Sequence, residues 1–331
     1  MTPLVRAASL THFADVAAEC GLDVRALLAE SGLPPRCLSE PDLKVPADAV
    51  GRLLEMAAER AHQPAFALRM VASRRLSNLG PLGLLVRDEP TLRSALEAIV
   101  RHIHLHNEAL VVRVQNEGGL VVIREELLGS EGRLLRQATE LVVGVTFRVL
   151  QLLLGASWRP RLVCFAHRAP PKLAAHRQLF GPAVEFGHEF SGIVCNAADL
   201  DIPNPAADPV MARYSKRLLA AEPGPRERYA DHVRRLVVLL LPRGHCRVEV
   251  VAQHLGVDRR TVARRLAAEG TDFSAVVDGM RGELVQRYLA DGAKPLAEVA
   301  ALLGFASASA FSRWHRLRFG QAARAVLRAQ G

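Results

Sequence analysis

Hydrophobic positions recur at two different periods along the first part of the chain. In "ADAVGRLLEMAAERA" (47 to 61), which follows Pro46, and in "TLRSALEAIVRHIHLH" (91 to 106), apolar residues return at every third or fourth position. That spacing collects them on one face of a helix, and Thr91, after Pro90, is placed to cap the second one. In "ALVVRVQ" (109 to 115) and "LVVIRE" (120 to 125) β-branched residues dominate, with "NEGG" between the two runs. Such a pair reads as a β-hairpin. A long helix over 131 to 154 and strands at "RLVCFAH" (161 to 167) and "SGIVCN" (191 to 196) complete an α+β N-terminal domain.

The pattern changes further on. Pro is frequent in "DIPNPAADPV" (201 to 210) and "AEPGPRE" (221 to 227), on either side of the helical "VMARYSKRLLA". Pro and Gly together disfavour continued helix, so we expect a linker over 221 to 228, between a domain spanning 1 to 220 and another spanning 229 to 331. Everything beyond the linker reads as helix, an all-α C-terminal domain. With 331 residues the chain has room for two cores, since a single core rarely grows beyond ~250 to 300 residues.

The C-terminal segment repeats itself at a spacing of 48 residues. "VVAQHLGV" (250 to 257) aligns with "EVAALLGF" (298 to 305), matching Val251 to Val299, Ala252 to Ala300, Leu255 to Leu303 and Gly256 to Gly304. Two short helices that cross steeply need a small side chain where they touch and a Gly in the turn between them, which is the helix-turn-helix pattern. In the first copy Asp258 is the cap candidate, Gly270 the stop, and Val262 and Leu266 point inward. That leaves Arg259, Arg260, Ala263 and Arg264 toward solvent, with Thr261 in the same first turns. In the second copy the turn is one residue longer, so Val262 matches Phe311, Arg264 matches Arg313 and Leu266 matches His315. Ser307 becomes the cap candidate, and Ala308, Ser309, Ser312 and Arg313 the exposed face. Small residues allow close approach to base edges, Arg contacts guanine in bidentate fashion, and Ser hydroxyls reach phosphates. Those ten residues are the expected DNA-binding set.

Charge strengthens this picture. Residues 229 to 331 hold 15 Arg and 1 Lys against 5 Asp and 4 Glu, a net +7 of the chain's +9. A basic C-terminal third on a nearly neutral body points to a polyanion partner. The composition, 50% hydrophobic and 23% charged, is that of a globular chain. No uninterrupted apolar run reaches the ~20 residues of a membrane helix, and Asp15 and Glu19 interrupt any export signal, so we expect a cytoplasmic protein with no membrane partner. The five cysteines show no Cys-x-x-Cys pairing, which suits reduced thiols and no zinc site.

"RRLAAEGTDF" and "LAEVAALLGFASASAFSRWHR", within 259 to 320, resemble the DNA-binding domain of the AraC/XylS family of bacterial transcription regulators. "GPLGLLVRDEPTLRSALEAIVRHIHLHNEAL" and "FGPAVEFGHEFSGIVCNAADLDIPNP" are similar to the N-terminal effector-binding or dimerisation domain of one branch of that family, the one named for arabinose binding. The resemblance implies two helix-turn-helix units joined by a long helix, here about Phe273 to Leu289, docking in successive major grooves of double-stranded DNA. It also implies a homodimer, a small-molecule effector of hydrophobic character, contact with RNA polymerase and a role as activator. Its base-contacting positions fall on Arg260, Ala263 and Arg264, and on Ala308, Ser309, Ser312 and Arg313. Two features depart from the family. His315 stands where a core Phe is usual, which leaves the second recognition helix to rotate or to anchor on Trp314, and the Pro usual just after Gly320 is missing.

"HIHLH" sets His102 and His106 four residues apart, a spacing that could chelate a metal, but no constellation completes such a site, and neither a cofactor nor a metal is expected. No nucleophile elbow, phosphate loop or carboxylate pair stands out, so no catalytic residue and no enzyme activity are expected. Two alternatives stay open at this stage: a metal-binding or enzyme-like sensor domain fused to a DNA-binding module, and an N-terminal domain that only dimerises.

Overall fold

A short ribbon opens the chain, β1 (Leu4–Arg6) pairing antiparallel with β2 (Lys44–Pro46) around α1 (Phe13–Glu19) and α2 (Val24–Ser31). Then come α3 (Ala47–Arg60), α4 (Phe66–Val71), α5 (Pro81–Asp88) and α6 (Leu92–His106). Thr91 caps α6, its hydroxyl accepting the Ser94 N–H. The computed structural model describes residues 3–127, 135–221, 229–241, 246–255, 257–291 and 295–323. By internal contacts the chain divides into two units, Met1–Glu222 and Pro223–Gly331. The expected linker lies almost wholly outside the described residues.

The hairpin is present as β3 (Leu110–Glu117) and β4 (Leu120–Leu127), each running two residues beyond the apolar pattern. Gly118 and Gly119 form its turn with φ of 57° and 86°, which a two-residue turn matching the strand twist requires at both positions. With β5 (Leu162–Phe165), β6 (Val184–Phe186) and β7 (Ser191–Asn196) it builds a five-stranded sheet in the order β3-β4-β7-β5-β6. Neighbours are antiparallel except β5 and β6, which are parallel and joined through α8 (Ala174–Phe180).

Across this sheet lies α7 (Arg136–Leu154). By length and composition it could cross a membrane, although polar residues interrupt its apolar run. Its apolar side chains serve the core instead: Val143, Phe147 and Leu150 are fully buried and the helix packs on α3, α4, β4 and β7. Its start is fixed from outside, since no side chain of its own caps it. The Glu55 carboxylate accepts the Gln137 N–H at 2.6 Å, and the buried Gln137 amide bonds Ala67 N–H and the Pro64 carbonyl, both at 2.8 Å. The unit ends in α9 (Pro209–Ala221), packed on α5.

Every described element of the second unit is helical: α10 (Tyr229–Leu240), α11 (Val248–His254), α12 (Arg259–Ala268), α13 (Phe273–Asp291), α14 (Leu296–Leu302) and α15 (Ala308–Phe319). Its core draws on all six, with Val237, Val251, Val262, Val285, Val299 and Phe311 fully buried.

Candidate nucleic-acid interface and effector cavity

The repeat read from the sequence is a repeat of packing. Val251 and Val299, Ala252 and Ala300, Val262 and Phe311, and Leu266 and His315 are all buried, each residue filling the same role as its counterpart. Four residues separate α11 from α12 and five separate α14 from α15, so the second turn is longer by one. Gly304 has φ of 68°, and a Cβ added there would lie 2.8 Å from the Leu241 carbonyl at the end of α10. Only Gly meets both demands. Its counterpart Gly256 lies outside the described residues.

Each second helix opens with the expected cap. Asp258 accepts the Thr261 N–H at 2.7 Å, and Ser307 accepts the Ala310 N–H at 3.2 Å. That backbone bond, with Arg264 nearby, holds the Asp258 carboxyl below its ordinary range. Arg259, Arg260, Ala263 and Arg264 on α12, and Ala308, Ser309, Ser312 and Arg313 on α15, are all exposed. Among the described residues no ion pair occupies Arg260, Arg264 or Arg313. Arg259 reaches back to Glu249 on α11 at 3.2 Å, in an exposed pair that a phosphate could displace. Thr261 is half-buried, its hydroxyl donating to Asp258 at 3.2 Å. Leu317, 83% exposed, continues the face of Ser309 and Arg313 by another turn, and nothing in the family motif had drawn attention to it.

His315 and Trp314 resolve the departure from the family pattern. His315 is buried, bonds the Gln321 carbonyl through Nδ1 at 2.8 Å and lies 4.8 Å from the Phe319 ring centre, so it fills the core position. Trp314 turns toward α13, where its Nε1–H and the Arg318 guanidinium both donate to the Asp278 carboxylate. One turn further along α13, Arg281 donates to the carbonyls of Leu303 and Gly304 at 2.9 and 3.2 Å and covers the Phe305 ring at 4.3 Å. The long helix therefore grips both the turn and the second helix of the C-terminal motif. In the first motif Glu269, just past α12, accepts the N–H groups of Tyr229 and Ala230 at 2.5 and 2.9 Å and so starts α10.

Between α6, β3 and α7 the N-terminal unit has a partly open cavity. Ile99, Ile103, Leu110, Leu141, Val145 and Val149 form its apolar wall. Arg74, Asn78, His106 and Ser9 line it as well, and they belong to one network: Arg74 donates to the Ser9 carbonyl, while Arg6 reaches the Asn78 carbonyl at 3.2 Å and the His106 ring at 3.4 Å. Burial, with the cations Arg6, Arg74 and Lys44 around it, pushes His106 down to about 3. A metal ion on His102 and His106 would enter that same positive field, which disfavours the chelating reading of "HIHLH". Among the described residues no group of three or more His, Cys, Asp or Glu is arranged to hold a metal ion.

Residues 21–204 match the arabinose-binding domain of AraC transcription regulators, an N-terminal domain, and residues 251–329 match a helix-turn-helix domain. The chain belongs to the AraC family of transcription regulators. Among its AraC-type relatives, the HTH-type transcriptional regulator VirS of Mycobacterium tuberculosis is 31% identical over 324 residues, covering 97% of this chain and 95% of VirS. The ornithine utilization regulator of Pseudomonas aeruginosa is 26% identical over 316 residues, 95% of this chain and 93% of its own. The crystal structure of the transcriptional regulator CdpR from Pseudomonas aeruginosa is 22% identical, covers 92% of this chain and 96% of its own, and has a TM-score of 0.43. Family and helix-turn-helix domain together make this chain a DNA-binding transcription regulator and not an enzyme.

Proposed function

We propose that this AraC-family chain is a ligand-responsive activator that reads two successive major grooves, using 229 to 331 as the DNA-binding domain, 221 to 228 as linker and 1 to 220 as effector and dimerisation domain. The observation that carries the reading is the pair of capped helices α12 and α15, each exposing small residues and an Arg, Arg264 or Arg313, with no ion pair among the described residues. Arg264 and Arg313 read bases, and Ala263, Ala308 and Ser309 permit the approach. Arg259, Arg260 and Ser312 supplement them, while Thr261 and Ser307 act through the caps. Leu317 adds an apolar surface suited to a thymine methyl. As an activator the protein works in the cytoplasm and touches RNA polymerase, which the family membership supports.

The homodimer rests on α9. Val210, Tyr214 and Leu218 recur every four residues along it and are 53%, 57% and 60% exposed, beside the exposed Leu84 of α5. A face of that kind fits its own copy across a twofold axis. The effector reading rests on the cavity, whose apolar wall suits neither a sugar nor an amino acid such as ornithine along most of its length. Ligand acts by favouring one arrangement of the protein, to the extent that it binds that arrangement more tightly.

Binding of the purified chain to its own upstream DNA, and to a set with each base pair substituted in turn, tests the assignment. Arg264→Ala and Arg313→Ala should each lose about 1 to 3 kcal/mol at one base position, and at different positions. A uniform loss across the whole set, with only a shallower salt dependence, would identify phosphate contacts and refute base reading by these residues.

A further inference from the structure

The cavity holds a charge that no carboxylate among the described residues balances. Arg74 is 5% exposed, and among the described residues no carboxylate pairs with it. Its terminal nitrogens donate to the carbonyls of Ala8 and Ser9, and its Nε has no partner. The other cations nearby are neutralised, Arg6 by Asp42 and Lys44 by Glu108. A second donor on the same wall, the Ser9 hydroxyl, is also buried without a partner. A water molecule would satisfy Ser9, but it would leave the guanidinium charge uncompensated in an apolar surround, which is costly. The polar edge of the cavity is thus built for an anion, and the wall facing it, from Ile99 and Ile103 on α6 to Val145 and Val149 on α7, is built for hydrocarbon.

We propose that this cavity binds a monocarboxylate with an apolar body, its carboxylate on Arg74 and the Ser9 hydroxyl and its body between α6 and α7. The carboxylate supplies the missing counter-charge, and charge-assisted bonds from a guanidinium are the strong ones in a dry site. His106, neutral beside it, donates or accepts without adding a charge. The proposal deepens the effector reading and rests on it only for the consequence of binding, not for binding itself.

Calorimetric titration of the full chain with octanoate, octanol and octylamine tests it. Octanoate should bind at least about tenfold more tightly than either of the other two, which share its chain but not its charge. Arg74→Gln should remove that preference and bring octanoate level with octanol. Since Arg74 also holds two backbone carbonyls, a second variant guards against misfolding: Val145→Trp, which fills the apolar wall, should abolish binding of all three while the circular dichroism stays native. Equal binding of the three ligands, no binding of octanoate, or octanoate binding that survives Val145→Trp would overturn the proposal. If octanoate binds as described but DNA affinity and transcription do not respond, the carboxylate site stands and the effector reading fails.

Discussion

Glu125, on β4, is a buried carboxyl whose Oε1 accepts the Thr146 hydroxyl of α7 and whose Oε2 has no partner. Burial, only partly opposed by that bond, pushes it up to about 7 from an ordinary 4.5. Between those two values the folded protein keeps a proton that the unfolded chain releases, so this group's contribution to stability falls as pH rises through the window. Glu125→Gln keeps the shape and the acceptor but cannot titrate. Relative to the parent it should gain stability with pH, by roughly 2 to 3 kcal/mol between pH 5 and pH 8. Hydrogen exchange of the β3 and β4 amides in urea at the two pH values measures this. An unchanged difference between the two proteins would sink the assignment. His106 slopes the other way, because a buried neutral imidazole leaves the unfolded state holding the extra proton from about 3 to 6.5. The parent's own profile is therefore flattened, and only the difference between variants isolates either group.

At the scale of elements, α13 is the part that sequence reading left bare. Asp278 receives both Trp314 and Arg318 of α15, and losing that carboxylate removes two charge-assisted bonds at once, about 1 to 3 kcal/mol of local stability. Asp278→Ala should flatten the base-preference profile at the positions read by α15 and leave those read by Arg264 intact, as a base-substitution binding series would display. Flattening of both halves together would instead mean that the whole unit had loosened. The helices themselves were legible: a repeat of Val and Ala marks two helix pairs, because each buries the same small and apolar residues at the same steps. The clamp was not, since Asp278 meets partners 36 and 40 residues away and no local period encodes such a pairing. The N-terminal unit divides in the same way. Thr91 and the Gly118–Gly119 turn act on their immediate neighbours and could be read directly. The short β1, β2 and β6 carry too few residues for a period, and the cavity's edge joins residues 9, 74 and 106, brought together only by folding.

For the whole molecule the proposed dimer surface on α9 is the one to test. Tyr214→Glu with Leu218→Glu places two charges on the exposed stripe, where they disturb no core of the monomer. Sedimentation velocity should then show a monomer with native circular dichroism in place of a dimer, and binding to a two-copy operator should lose its concentration cooperativity. A parent chain that is already monomeric, or a variant that still pairs, would remove α9 as the interface. The grip of α13 on α15 reaches furthest when seen from genetics. Under the proposed reading, Asp278, Arg281 and Trp314 bear on base recognition by holding α15 in place, so changing any of them should alter how one half of an operator is read while the protein remains abundant. A screen for alleles that retain some promoters and lose others would return these positions alongside Arg313. Mapped without a structure, such alleles would be mistaken for contacts with the bases.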